Sequence, residues 1–213
     1  MVCAHNDLVI FDLDGTLLDT SPGIFASVRY AEMMLNLPNI DAPFLKQFVG
    51  PPPKEVYKKL YNLSDELAMQ ATFHHRKFGF ETGYLMASLY DGIKALLLKL
   101  KDSHVKLAVG TLKKQKVAEM VLNNFDIAFC FDMILGMDDN ETFTKDKIIS
   151  IICNSLNVKN AVMVGDTVYD ALGAEKAGLD FIGVKYGFGF TENEVYNFKT
   201  VSKPNEIYNL IVY

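Results

Sequence analysis

Five short apolar runs recur along the chain, at residues 8–11, 105–109, 131–135, 161–164 and 181–184. Each is four or five residues long and rich in β-branched or aromatic side chains. Such near-continuous apolarity marks a strand buried on both faces of a parallel sheet. Between the runs the apolar spacing changes to that of a helix. Residues 91–100 carry Ile93, Leu96, Leu97 and Leu100 on one stripe, and helices are predicted at 113–124, 144–156, 168–177 and 204–211. Gly178 stands where a helix C-terminus takes a left-handed residue. Strands that alternate with helices predict an α/β fold with a Rossmann-like, doubly wound parallel sheet.

One stretch departs from this alternation. Residues 20–82 show helical spacing only, with helices predicted at 23–37, 43–49, 54–61 and 64–78. Ser21 before Pro22 reads as an N-cap and first helical residue, and Ser64 as a second cap. Gly50-Pro51-Pro52-Pro53 is a rigid break. The expected organisation is a core domain of residues 1–19 and 83–213, with a small all-helical cap domain of residues 20–82 inserted after the first strand as a lid.

Composition narrows the classes of function. The chain has 213 residues, is half hydrophobic and carries a net charge of −5. It has no basic run suited to nucleic acid, and no stretch of about 18 apolar residues suited to crossing a membrane. The N-terminus lacks the basic and long apolar regions of a signal peptide. Cys3, Cys130 and Cys153 have no metal-like spacing and read as free thiols in a reducing cytoplasm. A monomer or homodimer is expected, with a small molecule as the partner.

The candidate chemistry sits at the ends of the strands, where open α/β sheets gather ligands. The first run stops on Asp12 and Asp14, two acids so close that a hard cation is their natural compensation. Gly15 permits a backbone geometry that a side chain would forbid. The second run leads into Gly110-Thr111-Leu112, and a hydroxyl at a strand end suits a phosphate oxygen. Lys145 and Lys147 both stand at the start of a helix, where the dipole disfavours cations. The fourth run ends on Gly165-Asp166, and Asp170 follows one helical turn later. Taken singly these residues have plainer readings. Asp-x-Asp-Gly fits a turn or a calcium loop, Thr111 and Asp166 fit helix caps, and Asp170 fits a surface acid.

Together they form a known series. Asp12-Leu13-Asp14-Gly15-Thr16-Leu17, Thr111, the lysine before Ile148-Ile149 and Gly165-Asp166-Thr167-Val168-Tyr169-Asp170 resemble, in order, the signatures of the haloacid-dehalogenase-like hydrolases. Gly50-Pro51-Pro52, Gly173 to Gly178 and Gly183 to Gly189 are similar to the phosphoglycolate-phosphatase-like branch. The resemblance implies a Mg2+-dependent phosphatase for a small phosphate monoester. Asp12 is then the nucleophile, Asp14 the general acid and base, and Lys145, favoured over Lys147 by a Lys-x-x-x-Ile pattern, the charge-neutralising lysine. Mg2+ would be held by Asp12, the Asp14 backbone carbonyl and Asp166, with Asp170 accepting a hydrogen bond from metal-bound water or orienting Lys145. Thr111, Leu112, Gly15, Thr16, Gly50 and Pro51 would line the substrate. His74, His75 and Arg76 are candidates for a substrate carboxylate, set against a solvated helix face.

Other readings compete. A phosphomutase of the β-phosphoglucomutase type shares Asp12 and Asp14, but commonly has a bulkier aliphatic residue at the place of Thr16. An inorganic pyrophosphatase of the same family is another alternative, with pyrophosphate, or a nucleoside monophosphate, as substrate in place of phosphoglycolate. A dehalogenase lacks the acid at Asp14. A catalytically weak phosphate-binding protein has no need of both acids.

Overall fold

A computed structural model describes residues 6–191 and 195–212. Cys3 lies outside them, and Cys130 and Cys153 are free thiols. In chain order the elements are β1 (Leu8–Phe11), β2 (Leu18–Asp19), α1 (Ser21–Leu35), α2 (Ala42–Leu45), α3 (Pro53–Tyr61), α4 (Asp65–Glu81), β3 (Ser88–Leu89), α5 (Ile93–Asp102), β4 (Lys106–Lys114), α6 (Gln115–Asn124), β5 (Met133–Met137), α7 (Lys145–Ser155), β6 (Ala161–Gly165), α8 (Val168–Ala177), β7 (Asp180–Val184), β8 (Lys199–Val201) and α9 (Pro204–Val212). No helix among the described residues is long and apolar enough to cross a membrane.

The chain forms two compact units. One holds the residues up to Leu18 and from Leu89 onward, the other is Asp19–Ser88. In the first, six parallel strands run in the order β5-β4-β1-β6-β7-β8. β1 lies between β4 and β6, and its four residues are fully buried. The period of two along a strand puts Leu8 and Ile10 on one face, where they pack with Ile148, Ile149 and Ile152 of α7. Asp12 continues that spacing just beyond the strand, and its N–H donates to the Val164 carbonyl at 2.9 Å. The side chain after the apolar pair therefore meets the N-terminus of the same helix.

Several observed features differ from the sequence pattern, among them β5, which lies at Met133–Met137 rather than 131–135. β4 runs on through Gly110 to Lys114, so α6 begins at Gln115 rather than at residue 113, and Thr111 is a strand residue rather than a helix cap. The polar residues 111–114 hide this extension from a reading of apolar runs. β8 is short and mostly polar at the sheet edge, and β2 pairs with β3 in a separate two-stranded sheet. At α1 the cap is not Ser21. The Asp19 carboxylate accepts from the Ser21 N–H at 2.9 Å and from its hydroxyl at 2.6 Å.

The helical unit has its own core of Val28, Ala31, Leu45, Phe48, Val56, Tyr57, Ala68 and Ala71. The 3-10 turn Gly83–Met86 belongs with it, because Gly83 packs directly on Gly23 of α1. Ser64 caps α4 by accepting from the Leu67 N–H. Glu32 is buried in this unit, with its carboxylate accepting from Arg29 at 2.7 Å, the Ile40 N–H at 3.0 Å and the Tyr61 hydroxyl at 2.6 Å. Truncation to Ala strands the Ile40 and Tyr61 donors, although half-exposed Arg29 regains water. Glu32→Ala is expected to cost about 2–4 kcal/mol, read as a lowered urea midpoint, whereas Glu32→Gln should cost less.

Candidate active site

Lys145 opens α7 with its ammonium in the interior. Its three N–H groups are each accounted for: one donates to Asp12 Oδ1 at 2.6 Å, one to Asp170 Oδ1 at 2.7 Å and one to the Gly110 carbonyl at 2.7 Å. The helix dipole disfavours a cation at this end, and the two carboxylates overcome it. The lysine stem lies against Gly173 of α8, where a Cβ would come within 2.6 Å of Lys145 Cγ. Lys147, the other lysine left open by the sequence, lies over the Phe143 ring at 4.7 Å instead.

Asp170 is held on both oxygens. Oδ2 accepts from the Thr167 N–H at 3.0 Å and the Thr167 hydroxyl at 2.7 Å, which closes a capping box on α8. Oδ1 is left for Lys145. Asp166 follows β6 directly and is fully buried. Its Oδ2 accepts from the Phe188 N–H at 2.9 Å, and its Oδ1 lies 3.4 Å from the Thr16 hydroxyl. The chain passes so near this carboxylate that a Cβ on Gly15, at φ +84°, would overlap it.

Asp12, Asp166 and Asp170 each offer an oxygen within 4.8 Å of the others. Three buried carboxylates stand against the single ammonium of Lys145. The balance calls for two more positive charges, and an all-oxygen donor set suits a hard divalent cation. Asp12 and Asp166 fit that role best: both Asp170 oxygens take close donors, Thr167 and Lys145 at 2.7 Å, whereas Asp166 Oδ1 has the Thr16 hydroxyl no nearer than 3.4 Å. The Asp12 carboxyl is raised to about 7, chiefly by burial, with Lys145 opposing and the charges of Asp170 and Asp14 adding to the rise. Burial also pushes Asp166 well above the ordinary range, with Asp170 and Asp12 adding to it.

These shifts predict a pH dependence of stability. For a carboxyl raised from 3.8 to about 7, the folded state binds more protons than the unfolded state between those values. Stability then falls as pH rises through that window. Lys145 is shifted upward, so its contribution persists across it. In chelator the chain should unfold at lower urea at pH 7.5 than at pH 5. A divalent cation should restore the midpoint at pH 7.5 and do little at pH 5. Equal midpoints at the two pH values in chelator would refute the buried-charge account.

The remaining expected residues divide. Thr111 is buried, and its hydroxyl accepts from the Lys113 N–H at 3.2 Å. Leu112 packs against the apolar core cluster. The Gly15 N–H donates to the Leu18 carbonyl at 2.8 Å and the Thr16 N–H to Leu13 at 3.4 Å, so these groups hold the turn after β1. Gly50 (φ +99°) and Pro51 belong to the helical unit. His75, in that unit, is buried beside the Tyr57 hydroxyl (Nδ1 at 3.3 Å), rather than on a solvated face. His74 packs edge-on against Tyr30 and Phe73.

Sequence reasoning missed three contributors. Lys113 reaches Asp14, with Nζ at 2.9 and 3.0 Å from its two oxygens. The Phe188 N–H serves Asp166. The Tyr186 hydroxyl donates to the Thr16 carbonyl at 3.0 Å and ties the loop after β7 to the turn after β1. A strand that runs on to Lys114 puts Thr111 and Lys113 two residues apart, at positions of the same face. Nothing local marks the other two.

With this geometry in place, comparison with known proteins locates the chain. Residues 9–184 match the model of a family described as haloacid dehalogenase-like hydrolase. A 5'-nucleotidase of Pseudomonas aeruginosa is 34% identical over 190 residues, covering 88% of this chain and 86% of its own length. The tyrosine-protein kinase PtkA of Mycobacterium tuberculosis is 35% identical over 185 residues, which are 85% of this chain and 63% of that protein. A phosphoglycolate phosphatase of Vibrio cholerae is 30% identical over 199 residues, covering 87% of each. The crystal structure of a predicted phosphatase from Clostridium acetobutylicum superposes with a TM-score of 0.90 at 37% identity, over 98% of this chain and 99% of that one. The chain belongs to the haloacid dehalogenase-like hydrolases, on their phosphoglycolate-phosphatase-like branch.

Proposed function

We propose that this protein is a Mg2+-dependent phosphatase that hydrolyses a small phosphate monoester through an aspartyl-phosphate on Asp12. The observation that carries the reading is the buried set of Asp12, Asp166 and Asp170 around Lys145, short of two positive charges. Mg2+ held by Asp12, Asp166 and the Asp14 backbone carbonyl would supply that charge and offset the negative charge of the phosphoryl group.

The chain's own residues then divide the work. Asp12, with one oxygen fixed by Lys145, presents the other to phosphorus. Covalent attack splits one hard displacement into two easier ones. Asp14 gives a proton to the leaving oxygen, then accepts one from the water that releases phosphate. Lys145 and Thr111 stabilise charge on the transferring group. Asp170 keeps Lys145 pointed inward, and Thr16 with the Phe188 N–H keeps Asp166 in place. The free thiols of Cys130 and Cys153 suit a reducing cytoplasm.

The test is phosphate release with Mg2+ or chelator across p-nitrophenyl phosphate, phosphoglycolate, pyrophosphate, nucleoside monophosphates and sugar phosphates. Metal-dependent release from one or more esters is expected, and the preferred ester names the substrate. Isomerisation of glucose 1-phosphate without release would replace the phosphatase by a mutase. Silence in both assays would leave a binding protein.

A further inference from the structure

Each of the two acids after β1 has its own lysine. Lys145 holds Asp12, and Lys113, far from it in the sequence and on another strand, holds Asp14 by both oxygens at 2.9 and 3.0 Å. The Lys113–Asp14 pair is shielded, with side chains 17% and 12% exposed. An exposed pair of this kind is loosely held; here the backbone itself is arranged to deliver the lysine. β4 stays extended past Gly110, its register with β5 shifts between Gly110 and Lys114, and the Lys113 N–H is pinned to the Thr111 hydroxyl. Asp14 sits in a turn whose next residue has φ +84°, and Lys113 meets its carboxyl on both oxygens there.

We infer that Lys113 is a positioning residue for Asp14, fixing the direction in which that carboxyl exchanges protons with the leaving oxygen and then with water. The inference rests on the phosphatase reading above. It separates two kinds of substrate. An alkyl phosphate needs a proton on its leaving oxygen, so loss of Asp14 alignment slows formation of the aspartyl-phosphate. p-Nitrophenolate leaves without one, so formation stays fast while the water step, which needs Asp14 as acceptor, slows.

The experiment compares wild type, Lys113→Met, Lys113→Arg, Asp14→Asn and the Lys113→Met/Asp14→Asn double variant on phosphoglycolate and p-nitrophenyl phosphate, with rapid-mixing kinetics for the latter. Lys113→Met should lower kcat for phosphoglycolate about 10- to 100-fold with KM within about threefold. With p-nitrophenyl phosphate it should give a burst of one nitrophenol per enzyme before a slowed steady state. Asp14→Asn should show the same signature, the double variant no further loss, and Lys113→Arg partial recovery. Four results would overturn the inference: unchanged kcat on both esters, a raised KM alone, equal loss on both esters with no burst, or additive loss in the double variant. If another alkyl ester of the panel above is preferred, it takes the place of phosphoglycolate; a wild type that releases no phosphate from any ester of that panel would overturn the phosphatase reading itself, and the inference with it.

Discussion

Asp12→Asn should abolish turnover, by at least about 10^4-fold, and leave the fold intact or firmer. The amide is nearly isosteric and can still accept from Lys145. It cannot attack phosphorus as a carboxylate does. The structure adds a sign for stability. Asp12 is one of three buried carboxylates served by one ammonium, and its own carboxyl is pushed up by burial. Removing its charge therefore relieves the metal-free protein. In chelator at pH 7.5, Asp12→Asn should unfold at the same or higher urea than wild type. With a divalent cation the order should reverse, because the variant has lost a ligand. A variant that loses turnover by misfolding would instead unfold earlier in both conditions.

Lys145→Met should have the opposite effect on stability. Methionine fills most of the stem's volume against Gly173 but leaves Asp12 and Asp170 facing each other without a cation. Breaking a buried pair on one side costs about 3–5 kcal/mol, because the stranded charge remains in the interior. Here two charges are stranded, so the upper end is expected, together with loss of turnover. A second change identifies the cause. Lys145→Met/Asp170→Asn removes one stranded charge and should recover a large part of the stability and none of the activity. If the double variant is less stable than Lys145→Met, the lysine's worth lies in packing and not in the carboxylates.

Much of this arrangement was legible in the chain. The core strands show as apolar runs because burial on both faces leaves no polar alternation to blur them. Asp12 and Asp166 are conspicuous because each ends such a run. β8 and the far half of β4 were not legible, since edge position and lysine content give them no apolar signature. The unread contacts share one cause. Lys113 with Asp14, Phe188 with Asp166 and Tyr186 with Thr16 join residues far apart in sequence through strand register and loop path. Spacing along the chain carries no trace of such pairings. At the start of α1 the miss is local: Asp19, Thr20 and Ser21 are three consecutive polar residues, and spacing does not tell that Ser21 is already helical, that Thr20 holds the cap position without a side-chain bond, or that the Asp19 carboxylate accepts from Ser21.

The central claim is that phosphate passes through Asp12. The direct measurement is acid quenching of the enzyme during turnover of p-nitrophenyl phosphate, followed by peptide mapping of the phosphorylated residue. A hydroxylamine-sensitive acyl phosphate on the peptide carrying Asp12, absent from Asp12→Asn and more abundant in Asp14→Asn, is the predicted result. Turnover with no phosphorylated peptide, even in Asp14→Asn, or with the phosphoryl group on another residue, would contradict it.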